Sequence, residues 1–152
     1  MNLTYLRDRI RTNAKTVGLT YTEIEYLADI NGILNQTMPC LLWLYEGESD
    51  DYETPVTEVI LSLYFITNLH DEHKIETDLY QNDYIITERD KLRTYYKNWL
   101  NLLQIDTDDN MIKVIRTQSI PIHERRAISG FLAYEMRVTI EVIRNECLDV
   151  ED

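Results

Sequence analysis

The sequence predicts an α+β fold. It is a two-layer domain in which a mainly antiparallel, four-stranded sheet carries helices on one face and ends in a long C-terminal β hairpin. Three observations lead there. Apolar residues recur at helical spacing near the N-terminus (Leu3, Leu6, Ile10, Ala14) and again at Leu92, Tyr95, Trp99 and Leu102. Two later stretches alternate apolar and polar residues with a period of two, as strands with one buried face do. The order of these signals is helix, helix, strand, strand, long helix, strand, strand, which gives two antiparallel pairs with helices packed on one side of the sheet. No internal repeat, low-complexity segment or linker divides the chain, so 1–152 is expected to be a single domain.

The elements follow in order. Residues 2–16 read as a helix stopped by Gly18. A shorter helix is expected from Thr22, because Thr22-Glu23-Ile24-Glu25 has the form of a capping box and Ile24, Leu27, Ala28 and Leu34 supply an apolar stripe, with Gly32 near its end. After Pro39, the run Cys40-Leu41-Leu42-Trp43-Leu44-Tyr45 reads as a strand buried on both faces. Residues 46–53 are acidic, contain Gly47 and read as a loop. The long strand at 54–68 places Val59, Leu61, Leu63 and Phe65 on a dry face, and Glu58, Ile60, Ser62, Tyr64 and Ile66 on a partly wet one. The polar run His70-Asp71-Glu72-His73-Lys74 connects it to a helix at 76–104, in which Tyr96 and Leu103 widen the apolar row.

Residues 111–122 read as a further strand, with Pro121 placing its end at an edge or terminus because proline donates no N–H. At 130–143 the alternation is nearly strict. Gly130, Leu132, Tyr134, Met136, Val138, Ile140 and Val142 fall on one face, and Ser129, Phe131, Ala133, Glu135, Arg137, Thr139 and Glu141 on the other. At about 3.3 Å per residue such a strand is roughly 45 Å long, so the hairpin is expected to project beyond the domain body.

Composition narrows the function classes. The formal net charge is −12. Contacts to a nucleic-acid backbone are made by Lys and Arg, so an acidic surface of this kind argues against general binding of DNA or RNA. No apolar stretch reaches the ~18 residues of a membrane helix, and the charged beginning does not read as a signal peptide, so a cytoplasmic site of synthesis is expected. Cys40 and Cys147 are the two cysteines and are expected to be buried free thiols. Eleven tyrosines against two phenylalanines favour half-exposed positions and protein interfaces, where an apolar ring with a polar tip is useful.

Catalytic and metal-binding patterns are sparse. His70 and His73 are three apart and could share a helical face, but zinc needs three or four converging ligands and the remaining histidine, His123, is remote in sequence. Glu46, Glu48, Asp50, Asp51 and Glu53 have the composition of a Ca²⁺ loop without its spacing or its glycine. Nucleophile elbows, phosphate loops and dinucleotide fingerprints need glycines at set offsets, and the four glycines present meet none of them. No catalytic, metal-ligating or cofactor-binding residue is therefore assigned, and a non-enzymatic role is expected. The basic residues His123, Arg125, Arg126, Lys113, Arg116, Arg137 and Arg144 cluster in the final hairpin, where they could meet a neighbour's acidic surface.

The arrangement resembles a family. An N-terminal helix is followed by Ala28-Asp29-Ile30-Asn31-Gly32-Ile33-Leu34-Asn35 and Pro39, and then by apolar strands at 40–45 and 56–69. An acidic connector and a long helix ending Tyr96-Lys97-Asn98-Trp99-Leu100 come next, before a strand at 112–120, a polar turn and an alternating strand ending near Cys147. Across nearly the whole chain this is similar to the neck, head–tail connector and tail-completion (tail terminator-like) proteins of tailed bacteriophages, particularly those of Bacteroides-infecting crAss-like phages. The long helix and the 70–74 connector depart most from that pattern.

The resemblance implies a structural virion protein forming a sixfold or twelvefold ring at the portal–tail junction, assembled in the bacterial host cytoplasm. Its partners would be further copies of itself and portal, adaptor or tail proteins. DNA would pass through the ring without specific binding, as an acidic channel favours. No membrane, cofactor or catalytic residue is implied. Phe131, Ala133, Glu135, Arg137 and Thr139 of the alternating strand, with Arg125, Arg126 and Tyr64, are the expected subunit interface, and strand addition to a neighbour's edge is one way to use the hairpin. The other expectation is a small non-enzymatic α+β adaptor that binds one protein partner.

Overall fold

A computed structural model describes residues 3–25, 38–51, 53–68, 83–105, 112–122 and 131–143. Helix α1 (Leu3–Val17) is followed by strands β1 (Thr20–Ile24), β2 (Cys40–Asp51) and β3 (Val56–Asn68), helix α2 (Asp83–Ile105), and strands β4 (Ile112–Ile122) and β5 (Phe131–Ile143). The fold is α+β, as expected. The sheet, however, is five-stranded and mixed, in the order β1-β2-β3-β5-β4. The pair β1/β2 is parallel and the other three pairs are antiparallel.

Helix α1 ends where the sequence says it should. Gly18 adopts φ +95°, which a side chain would resist, and its N–H bonds to Lys15 O at 3.2 Å. The Leu19 N–H reaches back to Ala14 O at 2.8 Å. These two bonds make a Schellman closure, and Leu19 and Ala14 are both buried behind it. The chain then turns directly into β1, whose first residue bonds to Pro39 O through both its backbone N–H (3.2 Å) and its hydroxyl (3.4 Å).

Strand β1 corrects the expectation of a helix beginning at Thr22. Thr20, Tyr21, Thr22 and Ile24 are β-formers, and pairing with β2 from Thr20↔Cys40 to Ile24↔Leu44 satisfies a backbone that a capping box would have had to start anew. The rest of the expected second helix lies outside the described residues. The acidic stretch after Tyr45 is likewise not a loop. It continues β2 to Asp51, with Glu48↔Val59 and Asp51↔Val56 in register beyond a bulge at Glu46 and Gly47. Gly47 takes φ +118° there, so a single glycine supplies the local bend and the acidic side chains need not interrupt the ladder. The polar run at 70–74 lies outside the described residues.

Both described helices pack on one face of the sheet. Leu6, Ile10 and Ala14 of α1 and Leu92, Tyr96, Trp99 and Leu103 of α2 join Leu41, Trp43, Val59, Leu61, Leu63, Phe65 and the even-numbered residues of β5 in one core. Trp99 anchors it. It is fully buried, its Nε1–H donates to Ile10 O at 3.2 Å, and its ring meets Phe65 edge-on at 6.2 Å between centroids. A second, smaller cluster on the opposite face contains Ile24, Cys40, Leu42, Tyr64, Ile66 and Ala133.

Within the described residues, the strands of the C-terminal pair stay inside the sheet, contrary to the expected projection; the connector at 123–130 lies outside the described residues. Strand β5 is paired with β3 along its whole length, from Asn68↔Phe131 to Val56↔Ile143, while β4 flanks it on the other side. Its length is absorbed by an equally long neighbour of 13 residues. The sheet edge on this side belongs to β4.

Candidate functional site

The candidate site is the sheet face turned away from α1 and α2. Register fixes what lies on it. Tyr64 is opposite Glu135, Ser62 opposite Arg137, and Ile60 opposite Thr139, with Ile66 opposite Ala133. Five of the expected interface residues (Tyr64, Ala133, Glu135, Arg137 and Thr139) therefore share one face, as the alternation required. Phe131 belongs to β5 but its side chain lies outside the described residues, as do Arg125 and Arg126.

Sharing a face is not the same as being available on it. Tyr64 and Ala133 are each only 3% exposed and belong to the second apolar cluster. They support the face from within and do not present a contact surface, because the neighbouring Leu42, Cys40 and Ile66 bury them. Glu135, Arg137 and Thr139 remain at least partly accessible.

Glu135 is the electrostatic hinge of this region. Arg137 Nε donates to Glu135 Oε1 at 2.9 Å, and the Tyr64 hydroxyl lies within electrostatic reach of the same carboxylate. Burial, followed by the negative charges of Glu135 and Glu46, pushes the Tyr64 hydroxyl up to about 12. The Arg137 guanidinium is held protonated even more firmly than usual, chiefly by its bond to Glu135, with a further contribution from Glu46. Glu46, on the far side of β3, is thus electrostatically close to both. Ser62 lies between them in register, fully buried, and its hydroxyl has no partner among the described residues.

Among the described residues, nothing packs over the remainder of the face, towards the β2–β3 turn. Ile60 is 43% exposed. One ladder further along, Lys113, Glu141 and Glu58 stand side by side across β4, β5 and β3. A bulge in β4 shifts the register between Val114 and Arg116, so Ile115 is the extra residue and Arg116 falls opposite Thr139. That slip brings Lys113 and Arg116, three apart in sequence, onto the same sheet face; strict alternation would have separated them. Sequence reading grouped both with the basic residues of the hairpin but had no signal for the bulge that aligns them. Glu46 reads from sequence as part of an acidic loop and Glu58 as part of a partly wet strand face, and no local pattern places either on the same face as those cations.

The edge of β4 is poorly suited to receiving another strand. Pro121 offers no N–H, the bulge at Ile115 disturbs the spacing of backbone groups, and Lys113 and Arg116 are exposed charges. Each is a device that discourages indiscriminate edge pairing. Contacts made here would be formed by side chains.

Among the described residues, no group of three or more His, Cys, Asp or Glu side chains is placed to hold a metal ion, and no helix is long and apolar enough to cross a membrane. Cys40 is a buried free thiol, pushed up to about 12 by its burial, with Met38 Sδ 3.5 Å from its sulfur. Its low thiolate fraction makes it a poor nucleophile. No protein-family model matches the sequence, and no curated protein matches it either.

Proposed function

We propose that this protein is a structural virion subunit that assembles with copies of itself into a sixfold or twelvefold ring at the portal–tail junction, as a neck, connector or tail-terminator component. The observation that carries the reading is the bare half of the sheet's outer face. There an exposed isoleucine, Ile60, stands among charged side chains of both signs, on a sheet of long strands whose other face is occupied by two helices. A rigid surface of this kind is suited to side-chain contacts with another folded body. The acidic composition supports the location, because a negatively charged ring repels the DNA that must slide through it. In this reading the chain is not an enzyme and uses no cofactor.

The test is electron microscopy combined with light scattering on the purified protein, alone and mixed with portal and tail proteins of a tailed phage. Closed rings of six or twelve copies are expected. A protein that remains monomeric in every mixture overturns the reading, and a stoichiometric one-to-one complex with a single partner identifies an adaptor instead.

A further inference from the structure

The bare half-face is electrically lopsided. At the β4 edge stand Lys113 and Arg116, both exposed, and neither makes an ion pair among the described residues. Towards β2 stand Glu46 and Glu58, also exposed. Along one ladder the order of charge is Lys113, Glu141, Glu58, so two carboxylates lie directly opposite one another across β5 and β3. Like charges in that position repel and destabilise the pair. Lys113 flanks only the Glu141 side. A cation placed over Glu58 from outside would relieve this repulsion, and the chain carries two suitable cations on the same face.

We propose that this half-face makes a contact between two copies of the chain, with Lys113 and Arg116 of one copy meeting Glu46 and Glu58 of the next and Ile60 covered between them. The occupant is a second copy because both halves of the complementary pattern belong to this one chain. Where the rotation between copies lets each patch meet a different neighbour, the contact is heterologous and can close into a ring; where the rotation is two-fold, both patches pair at once and close a dimer. With a net charge of −12, copies repel at a distance, so a local match of opposite charges also sets which orientation can dock. The proposal rests on the assembly reading above and names the surface and the charges that meet in the contact.

Two charge-reversed variants test it by sedimentation velocity over a concentration series at about 0.1 M salt. One carries Lys113→Glu with Arg116→Glu, the other Glu46→Lys with Glu58→Lys. Each alone should associate at least about tenfold more weakly than the wild type, since close charge pairs at protein interfaces are worth more than the ~1.4 kcal/mol that tenfold represents. An equimolar mixture should recover association, because every reversed patch then meets its reversed complement. Unfolding cannot imitate that rescue, and circular dichroism of each variant checks the fold directly. Variants that assemble as the wild type does overturn this contact and leave the assembly reading standing. Weakened variants whose mixture stays weak overturn the pairing of these patches. A wild type that stays monomeric in this series overturns the self-contact, and one that also stays monomeric in the mixtures with portal and tail proteins overturns the assembly reading too.

Discussion

Trp99 shows how a single side chain ties the two layers together. Its ring lies against Phe65 of the sheet, while its indole nitrogen bonds to a carbonyl of α1 from its own position on α2. Three elements therefore lose a common neighbour if it is truncated. Trp99→Ala should cost about 3–5 kcal/mol, as large aromatic truncations in closed cores do, and Trp99→Phe should cost less because most of the volume is kept. Urea denaturation of the two variants measures both. A further residue-scale prediction concerns alkaline pH. Burial raises Cys40 from 9.0 to about 12, and Tyr64 rises from 10.0 to about 12. Below pH 9.0 Cys40 is protonated in the folded and unfolded chains alike, so its contribution is fully present. Between pH 9.0 and about 12 the unfolded chain releases this proton while the folded one retains it, so stability falls as pH rises. Tyr64 adds a loss of the same sign, beginning about one unit later. Comparing urea midpoints at about pH 8 and pH 10 for wild type and Cys40→Ala should show a shallower decline in the variant.

Among the elements, β3 and β5 are the interior strands of the antiparallel part of the sheet, and β1 and β4 are its edges. Backbone amides of β3 and β5 should be the slowest to exchange with deuterium, opening only on global unfolding, and those of β1 and β4 should exchange earlier through local fraying. Equal protection of β4 and β5 would contradict this ordering. The same elements show what was legible in the sequence. The long interior strand β5 could be read because one face is committed to the core at every second residue, and α1 could be ended correctly because only glycine suits the conformation at position 18. Strand β1 could not. Five residues are too few to display a period, and threonine followed by glutamate suits a helix start as well as a strand. The extension of β2 was hidden for a different reason. Acidic residues resemble a loop when their backbone partners, here residues 56–59 of β3, are unknown. The candidate face was half legible. Alternation placed Glu135, Arg137 and Thr139 together, but burial of Tyr64 and Ala133 and alignment of Lys113 with Arg116 depend on cross-strand neighbours and a bulge that no local pattern announces.

At the scale of the whole molecule, charge is the dominant property. A chain with 27 acidic and 15 Lys or Arg residues should not retain duplex DNA. Gel mobility-shift titration at about 0.1 M salt is expected to leave a short duplex unshifted, because too few cations are available to displace the counterions of the phosphates. A shift would remove the argument for unimpeded passage of DNA.

The placement of β5 between β3 and β4 has a consequence for how the polypeptide is made. A ribosome finishes β3, α2 and β4 before it delivers the strand that must sit between β3 and β4. Throughout that interval β3, with its 13 residues, has one side of its backbone without a mate. Nascent chains at this stage are vulnerable to adopting a foreign strand. A premature stop ahead of Phe131 would thus leave one side of β3 unmated and β4 without its sole neighbour in the sheet, and the shortened product would be expected to precipitate inside the cell that makes it.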